Sequence, residues 1–354
     1  MLNYRDGLAD MPLYDTREQD WNIKVNANES NVGLPPLVED RVMTRLSRIA
    51  FPRYPNEEYD LLCEQIGEGY GYRRENVIIG NGSSEIIEKV FHAFGGNQEH
   101  RIVYPSPSFS MYAIYVAAAD ATGVPVPLRP DYQLDVEAFI QQVNQSQASL
   151  AVICNPNNPT GQILTAEEVE YIASHISCAL LVDEAYAEFC EHSVIALLKK
   201  YPHMMVARTF SKAYALASCR VGYMLAHEDV IDMLAKTYMP YHMNVPSLVI
   251  ADTVFQMRTE FEPQIQMICT ERERMQERYQ ALTGLTVYPS HANFLLIHYA
   301  QAEALNEDLI RYGIGVRSFG KAPGLENMLR ISIGRADQND EVYRIIKAFV
   351  EGHS

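Results

Sequence analysis

Residues 150–186 read LAVICNPNNPTGQILTAEEVEYIASHISCALLVDEAY, and this stretch sets the pattern of the whole chain. Two short apolar runs, Leu150–Cys154 and Ala179–Val182, enclose a longer amphipathic stretch. Continuous apolar runs are typical of strands that are covered on both faces, and strands that alternate with helices are typical of parallel sheets. The stretch therefore predicts a βαβ unit of an α/β protein.

The same alternation continues on both sides of this unit. We expect a large domain over residues 46–248, in which a mostly parallel sheet is flanked by helices. Its other predicted strands are Val77–Ile79, Arg101–Tyr104, Met204–Arg208 and Val221–Ala226.

After Pro246 the pattern changes. Helical periodicity around residues 250–281 predicts one long helix that links two domains. Beyond it, Phe294–Ile297 and Leu329–Ile333 are predicted strands, and Asp337–Val350 is a predicted closing helix. Residues 249–354 are therefore expected to form a smaller α+β domain.

Composition excludes several classes of protein. A formal net charge of -16 argues against a nucleic-acid partner, because phosphate backbones are bound by clustered Lys and Arg. No apolar run is long enough to span a membrane, and residues 1–14 lack the apolar core of a signal peptide, so we expect no membrane association and a cytoplasmic location. Six scattered cysteines without a C-x-x-C pair predict free thiols and no metal site.

A glycine-rich loop, Gly80-Asn81-Gly82-Ser83-Ser84-Glu85, follows the first predicted strand of the large domain. Glycines let backbone approach a phosphate, and the next helix presents free N–H groups to it. A plain strand-to-helix turn is an alternative. A dinucleotide fingerprint is a second alternative, although its third glycine is missing.

Two further loops follow the strands of the opening stretch. Asn155-Pro156-Asn157-Asn158-Pro159-Thr160-Gly161 has two prolines and a glycine, which predict a rigid loop that either presents an Asn amide or is only a turn. Asp183 ends the next strand, in a site where a buried carboxylate needs a cationic partner. Strand-end aspartates also bind metals or ribose, and that alternative stays open here.

Thr209-Phe210-Ser211-Lys212 ends another predicted strand, and Arg220 follows it. A lysine among apolar residues is desolvated, which lowers its pKa and makes the amine a usable nucleophile and base. The nearby hydroxyls and guanidinium would suit a dianion. Taken alone, the segment could equally carry a surface lysine.

In this order, the segments GNGSSE, NPNNPTG, DEAY, SK and R resemble the cofactor site of fold-type I aminotransferases that use pyridoxal-5′-phosphate (PLP), and the match spans most of the chain. Within that superfamily the chain is most similar to histidinol-phosphate aminotransferases. That similarity is carried by Val25-Asn26-Ala27-Asn28-Glu29, Arg53-Tyr54-Pro55, Thr209-Phe210-Ser211-Lys212-Ala213-Tyr214, Gly324-Leu325-Glu326-Asn327 and Leu329-Arg330-Ile331-Ser332-Ile333-Gly334.

The resemblance implies roles for residues around the cofactor ring and its phosphate. Lys212 would hold PLP as a Schiff base and transfer the substrate proton. Asp183 would pair with the ring nitrogen, Asn158 and Tyr186 would bind the 3′-oxygen, and Phe109 would stack on the ring. The cofactor phosphate would be held by Ser83, Ser84, Thr209, Ser211 and Arg220.

The resemblance also implies the assembly and the substrates. Residues 1–45 would join the smaller domain as an N-terminal arm. Tyr54 would reach the phosphate in a neighbouring subunit, so the chain would form a homodimer with shared active sites. Arg330 would bind a substrate carboxylate, unless it makes only a surface ion pair, with Arg317 and Asn28 as further substrate contacts. The reaction would exchange an amino group between an amino donor and a keto acid, with histidinol phosphate and 2-oxoglutarate as the expected pair.

Other functions remain open at this point. A PLP decarboxylase for threonine phosphate and a broad aromatic or aliphatic aminotransferase share these motifs. A non-catalytic PLP-binding regulator would carry an additional DNA-binding domain, and a nucleotide-binding α/β protein would leave Lys212 and Asp183 without a role.

The chain departs from the family pattern at three places. Ser30-Asn31-Val32-Gly33 lacks an aromatic residue that is common there, Ala217-Ser218-Cys219 replaces an Ala-Gly pair, and Pro240-Tyr241-His242 replaces Pro-Tyr-Asn. The first and third departures raise the question of whether Ser30 and His242 line the substrate pocket.

Overall fold

The computed structural model describes residues 19–190 and 192–353. The largest sheet in these residues has seven strands and is hereafter called the large sheet. Its strand order is β2-β8-β7-β6-β5-β3-β4. The strands are β2 (Val77–Asn81), β3 (Arg101–Ser106), β4 (Thr122–Pro127), β5 (Leu150–Cys154), β6 (Ala179–Asp183), β7 (Met204–Thr209) and β8 (Val221–Ala226).

Five neighbouring strands of this sheet are parallel, and β8 runs antiparallel to both β2 and β7. The predicted α/β class with a mostly parallel sheet is confirmed. Strand β4 was not predicted, because it contains Gly123, Pro125 and Pro127. Because β4 lies at the sheet edge, prolines are tolerated there without breaking a ladder on both sides.

Two apolar layers cover the large sheet. Ala151 and Ile153 of β5 point into one buried cluster, whereas Leu150, Val152 and Cys154 point into the other. Successive side chains of a strand alternate between faces, so a strand that is buried on both faces has only apolar residues. This is the physical reason for the uninterrupted apolar run in the opening stretch.

Helices pack on both sides of the sheet and begin at recognisable signals. In α6 the Thr165 hydroxyl accepts from the Glu168 N–H at 3.2 Å, and the Glu168 carboxylate accepts from the Thr165 N–H at 2.8 Å. The helices up to residue 235 are α1 (Pro36–Leu46), α2 (Glu58–Tyr70), α3 (Gly82–Phe94), α4 (Met111–Ala118), α5 (Val136–Gln145), α6 (Ala166–His175) and α7 (Glu228–Ala235).

The prediction of a single linking helix around residues 250–281 is wrong. The structure has two helices there, α8 (Val245–Gln256) and α9 (Glu262–Gln280), with a short 3-10 turn, Arg258–Phe261, between them. Pro263 has no N–H to donate, so it fits the first turn of α9 but not the interior of a continuous helix. Phe261 is fully buried at this break.

A second, antiparallel sheet, hereafter the small sheet, has the order β12-β13-β10-β9. Its strands and helices are β9 (Leu285–Tyr288), β10 (Phe294–Tyr299), α10 (Ala302–Arg311), β12 (Arg317–Ser318), β13 (Met328–Ser332) and α11 (Ala336–Gly352).

The first described residues pair with the part of the chain that contains the small sheet. Strand β1 (Ile23–Lys24) pairs in parallel with β11 (Ile314–Gly315), and the Ser332 N–H donates to the Val25 carbonyl at 2.9 Å. The exact domain boundaries at residues 45/46 and 248/249 stay predictions, and residues 1–18 of the predicted arm lie outside the described residues. None of the helices in the described ranges is both long and apolar enough to cross a membrane.

A buried ion cluster joins the neighbouring strands β6 and β7. The Arg208 guanidinium donates to Glu184 from Nε at 2.9 Å and from Nη2 at 2.7 Å, and to Glu188 from Nη1 at 3.2 Å. All three side chains are almost completely buried. Because Glu184 follows Asp183 and Arg208 precedes Thr209, the cluster holds together two strand ends that enter the candidate site.

We expect Arg208→Met to lower the free energy of unfolding by about 3–5 kcal/mol, because it leaves two buried carboxylates without their cation. Urea denaturation at pH 7 measures this loss. The matched control is Arg344→Met, which removes an exposed pair with Glu341 and should change stability far less. Equal losses in the two variants would contradict a stabilising role for the buried cluster.

Candidate active site

A cavity of about 620 Å³ lies at the carboxyl ends of β5, β6 and β7, where parallel sheets place their ligands. Residues 26–28 and the small-sheet residues Arg317 and Arg330 close its other side. The cavity brings together all but one of the predicted site residues: Asn28, Ser83, Ser84, Phe109, Asn158, Asp183, Tyr186, Thr209, Ser211, Lys212, Arg220, Arg317 and Arg330.

Asp183 is a buried carboxylate at the end of β6, the central strand of the large sheet. Its Oδ2 accepts from the Tyr112 hydroxyl at 2.9 Å, and its Oδ1 accepts from the Ala185 N–H at 3.2 Å. Burial raises the pKa of Asp183 to about 6, although these two hydrogen bonds act in the opposite direction. The carboxylate would therefore be stabilised by a cation in the cavity.

Lys212 presents its amine to the same cavity, and Nζ donates to the Ala27 carbonyl at 3.0 Å. Burial, followed by the positive charge of Arg330, lowers the pKa of Lys212 to about 8. A larger fraction of this amine is neutral near neutral pH than for an ordinary lysine. It is thus suited to act as a nucleophile or a base.

A cup of hydroxyl groups, backbone N–H groups and the Arg220 guanidinium, hereafter the anion cup because such groups suit an anion, forms where α3 begins beside β8. A Cβ on Gly82, which has a φ of +78°, would lie 2.4 Å from Arg220 Nη2, and a Cβ on Gly222 would lie 2.2 Å from the Ser83 nitrogen. Only glycine at both positions allows the guanidinium and the helix N-terminus to approach this closely. Arg220 Nη1 donates to Ser211 Oγ at 3.4 Å, and Thr209 Oγ1 donates to the same atom at 3.0 Å.

Arg330 crosses from the small sheet to the loop after β5. Its Nη1 donates to Asn158 Oδ1 at 2.6 Å, and its Nη2 donates to the Asn26 carbonyl at 2.7 Å. The guanidinium carbon lies 5.4 Å from the centre of the Phe294 ring. These contacts hold the guanidinium in the cavity wall.

The side-chain amide of Asn28, predicted as a substrate contact, bonds to protein groups. Its Nδ2 donates to the Tyr186 hydroxyl at 2.9 Å, and its Oδ1 accepts from Ser332 Oγ at 3.0 Å. Burial raises the pKa of Tyr186 to about 12, so this hydroxyl stays protonated. Because its oxygen accepts from Asn28, its own hydrogen is left for an acceptor in the cavity.

Three residues discussed from the sequence lie away from the cavity lining. Tyr54 is 75% exposed and stacks on Tyr241, with ring centres 4.6 Å apart. Ser30 donates to the Val32 carbonyl at 2.9 Å in a local turn. The His242 ring contacts the carbonyls of Ile79 and Met239. Neither Ser30 nor His242 is among the residues that line the cavity.

Several residues that line the cavity were not predicted from the sequence. Ser108 and Ser110 flank Phe109 just after β3, so their strand-end position was a usable signal. Phe319, Ala322 and Leu325 come from the connection between β12 and β13 and have no such signal, since only the packing of the two sheets brings them to the cavity.

Comparison with known proteins agrees with this arrangement. The family described as "Aminotransferase class I and II" matches residues 22–346. The histidinol-phosphate aminotransferase of Thermoanaerobacter pseudethanolicus is 34% identical over 343 residues, which cover 97% of each chain. That of Pyrococcus furiosus is 35% identical over 341 residues, which cover 96% of this chain and 95% of the relative.

Solved structures share the fold at lower identity. Histidinol-phosphate aminotransferase from Sinorhizobium meliloti, in complex with pyridoxal-5′-phosphate, has a TM-score of 0.87 at 24% identity over 95% of this chain and 93% of that chain. L-threonine-O-3-phosphate decarboxylase from Porphyromonas gingivalis has a TM-score of 0.82 at 21% identity over 93% of this chain and 99% of that chain. The extent of the family match and the identity to the curated relatives show that this chain belongs to the class I and II aminotransferases.

Proposed function

We propose that the chain is a PLP-dependent aminotransferase that exchanges an amino group between histidinol phosphate and 2-oxoglutarate. The observation that carries the proposal is that one cavity contains three groups: the buried carboxylate of Asp183, the Lys212 amine with its lowered pKa, and the anion cup beside Arg220. Near full-length relatives named histidinol-phosphate aminotransferase support the choice of substrate.

The residues present fit PLP. The cofactor carries a dianionic phosphate, for which the cup of Ser83, Ser84, Ser211 and Arg220 offers hydroxyls, helix N–H groups and a cation. It also carries a basic ring nitrogen. In the described part of the chain, Asp183 has only neutral hydrogen-bond donors, Tyr112 and the Ala185 N–H, so a protonated ring nitrogen would supply the cation that this buried carboxylate needs.

Each remaining residue of the site then has a defined task. Lys212 Nζ would attach the cofactor and move the proton of the substrate α-carbon, a task for which a pKa near 8 is suited. Asn158 and Tyr186 would donate to the ring oxygen, and Phe109 would cover the ring face. Bound PLP supplies an electron sink for the charge that develops at the α-carbon.

Substrate recognition would rest on the arginines. Arg330 has the planar fork that binds carboxylates in two places, and Asn158 and the Asn26 carbonyl hold its orientation. Arg317 lines the same cavity and would be a second anion contact. One site would thus accept glutamate and a phosphate monoester in turn, because both are anionic.

We further propose that the chain works as a homodimer in the cytoplasm. Tyr54 and Tyr241 form a stacked aromatic pair that is exposed in the single chain, and Phe51 and Met239 are also largely exposed, at 78% and 74%. Exposed apolar groups of this size are typical of interfaces between subunits. In such a dimer Tyr54 would contribute to the partner's phosphate site.

The absorbance spectrum of the protein with PLP tests the function directly. We expect a visible band that is lost, with growth of the pyridoxamine band, after addition of glutamate or of histidinol phosphate in separate samples. A response to glutamate alone would retain the reaction and reject the substrate. Release of carbon dioxide from threonine phosphate without a keto-acid product would instead indicate the decarboxylase, and absence of any band with added PLP would reject the proposal.

Substitution of Lys212 tests its proposed role in catalysis. We expect Lys212→Ala to lower kcat by at least about 100-fold, since general acid–base catalysis contributes roughly 10²–10⁴-fold. Steady-state assays with glutamate measure the loss. Lys200→Ala removes an exposed lysine that pairs with Glu170 and serves as the control, with kcat expected to stay unchanged. Full activity of Lys212→Ala would exclude its catalytic role.

The lowered pKa of Lys212 should be visible in the pH dependence of PLP attachment. Because the neutral amine is the nucleophile, the rate of covalent attachment to the cofactor-free protein should rise from pH 7 and level off above about pH 8. Borohydride trapping followed by peptide mass spectrometry measures the attachment at Lys212. A rate that continues to rise toward pH 10 would indicate an amine with the ordinary pKa.

A further inference from the structure

Tyr112 lies in the first turn of α4, and its side chain is fully buried. Its hydroxyl donates to Asp183 Oδ2 at 2.9 Å across 71 residues of sequence. Its ring is held by three aromatic neighbours, Phe91, Tyr104 and Phe109, at centre-to-centre distances of 6.0, 6.2 and 5.5 Å. The hydroxyl therefore has little freedom to leave the carboxylate.

The hydrogen bond from Tyr112 completes the fixation of Asp183. The Ala185 N–H already binds Oδ1, so the two donors together engage both carboxylate oxygens and set the plane of the group. Burial raises the pKa of Tyr112 well above its usual value. The hydroxyl consequently stays protonated at neutral pH and remains a donor.

We propose that Tyr112 is a positioning residue that holds the Asp183 carboxylate ionised and oriented toward the cavity. This inference deepens the proposed function and rests on it in one respect, namely that Asp183 pairs with the cofactor ring nitrogen. Tyr112 itself does not line the cavity and acts only through Asp183.

Among the groups that favour the ionised form of Asp183, the Tyr112 hydrogen bond has the largest effect. The charge of Glu184, beside it in the chain, disfavours the ionised form of Asp183, whereas the charge of Lys212 favours it. Hydrogen bonding to the charged form of a carboxyl lowers its pKa against such burial. The titratable and charged groups around Asp183 are Tyr112, Tyr115, Cys154, Glu184, Tyr186 and Lys212.

Tyr112→Phe tests the proposal because it removes the hydroxyl and keeps the ring contacts. The readout is the infrared carboxyl band of Asp183 in the full-length, cofactor-free protein, titrated with pH and isolated by subtraction of Asp183→Asn. We expect a midpoint near 6 in the unchanged protein and a midpoint about one pH unit higher in Tyr112→Phe. The PLP dissociation constant should rise roughly tenfold.

Tyr279→Phe is the matched control, since Tyr279 is equally buried but packs on Tyr343 and does not line the cavity. It should leave both the Asp183 midpoint and the PLP affinity unchanged, and urea denaturation verifies that both variants fold. An unchanged Asp183 midpoint in folded Tyr112→Phe would overturn the proposal. A shifted midpoint with no PLP binding in any variant would support the role of Tyr112 and reject the proposed function.

Discussion

Burial of one carboxylate at the end of the central strand is the constraint on which the site depends. Asp183 is almost completely buried, and its raised pKa of about 6 reflects the cost of holding a negative charge away from water. Tyr112 and the Ala185 N–H reduce that cost, and a cationic group in the cavity would reduce it further. Burial of this carboxylate therefore favours a cationic group on a ligand bound in the cavity.

A buried ion cluster next to Asp183 helps to hold this carboxylate in place. Glu184 and Arg208 are adjacent in sequence to Asp183 and Thr209, and their ion pair joins β6 to β7. A buried pair of this kind adds little net stability over apolar packing, but the loss of one partner is costly. Its effect is to hold the strand ends that carry the carboxylate, the hydroxyls and the lysine at one fixed spacing.

The cavity is complete only because the two sheets meet across it. Lys212 reaches Ala27 and Arg330 reaches Asn158, so each part of the chain provides hydrogen-bond partners for the other. Asn28 extends this connection, since it joins Ser332 of the small sheet to the Tyr186 hydroxyl. A relative movement of the two parts would therefore change the orientation of Asn158, Tyr186 and Arg330 together.

The sequence by itself determined the α/β class and six strands of the large sheet, because strands buried on both faces read as apolar runs. The loops at the carboxyl ends of these strands predicted Asp183, Lys212 and their polar neighbours, whereas Asn28, Phe109, Arg317 and Arg330 were predicted from the resemblance to aminotransferases. It did not determine β4, whose prolines are tolerated only at an edge, or the break between α8 and α9 at Phe261. Tertiary structure alone decided that the Asn28 amide bonds to Tyr186 and Ser332, and that Tyr112 reaches Asp183. Those contacts join residues that are 71 to 304 positions apart in the sequence. Local sequence patterns cannot predict them, because such patterns extend over only a few neighbouring residues.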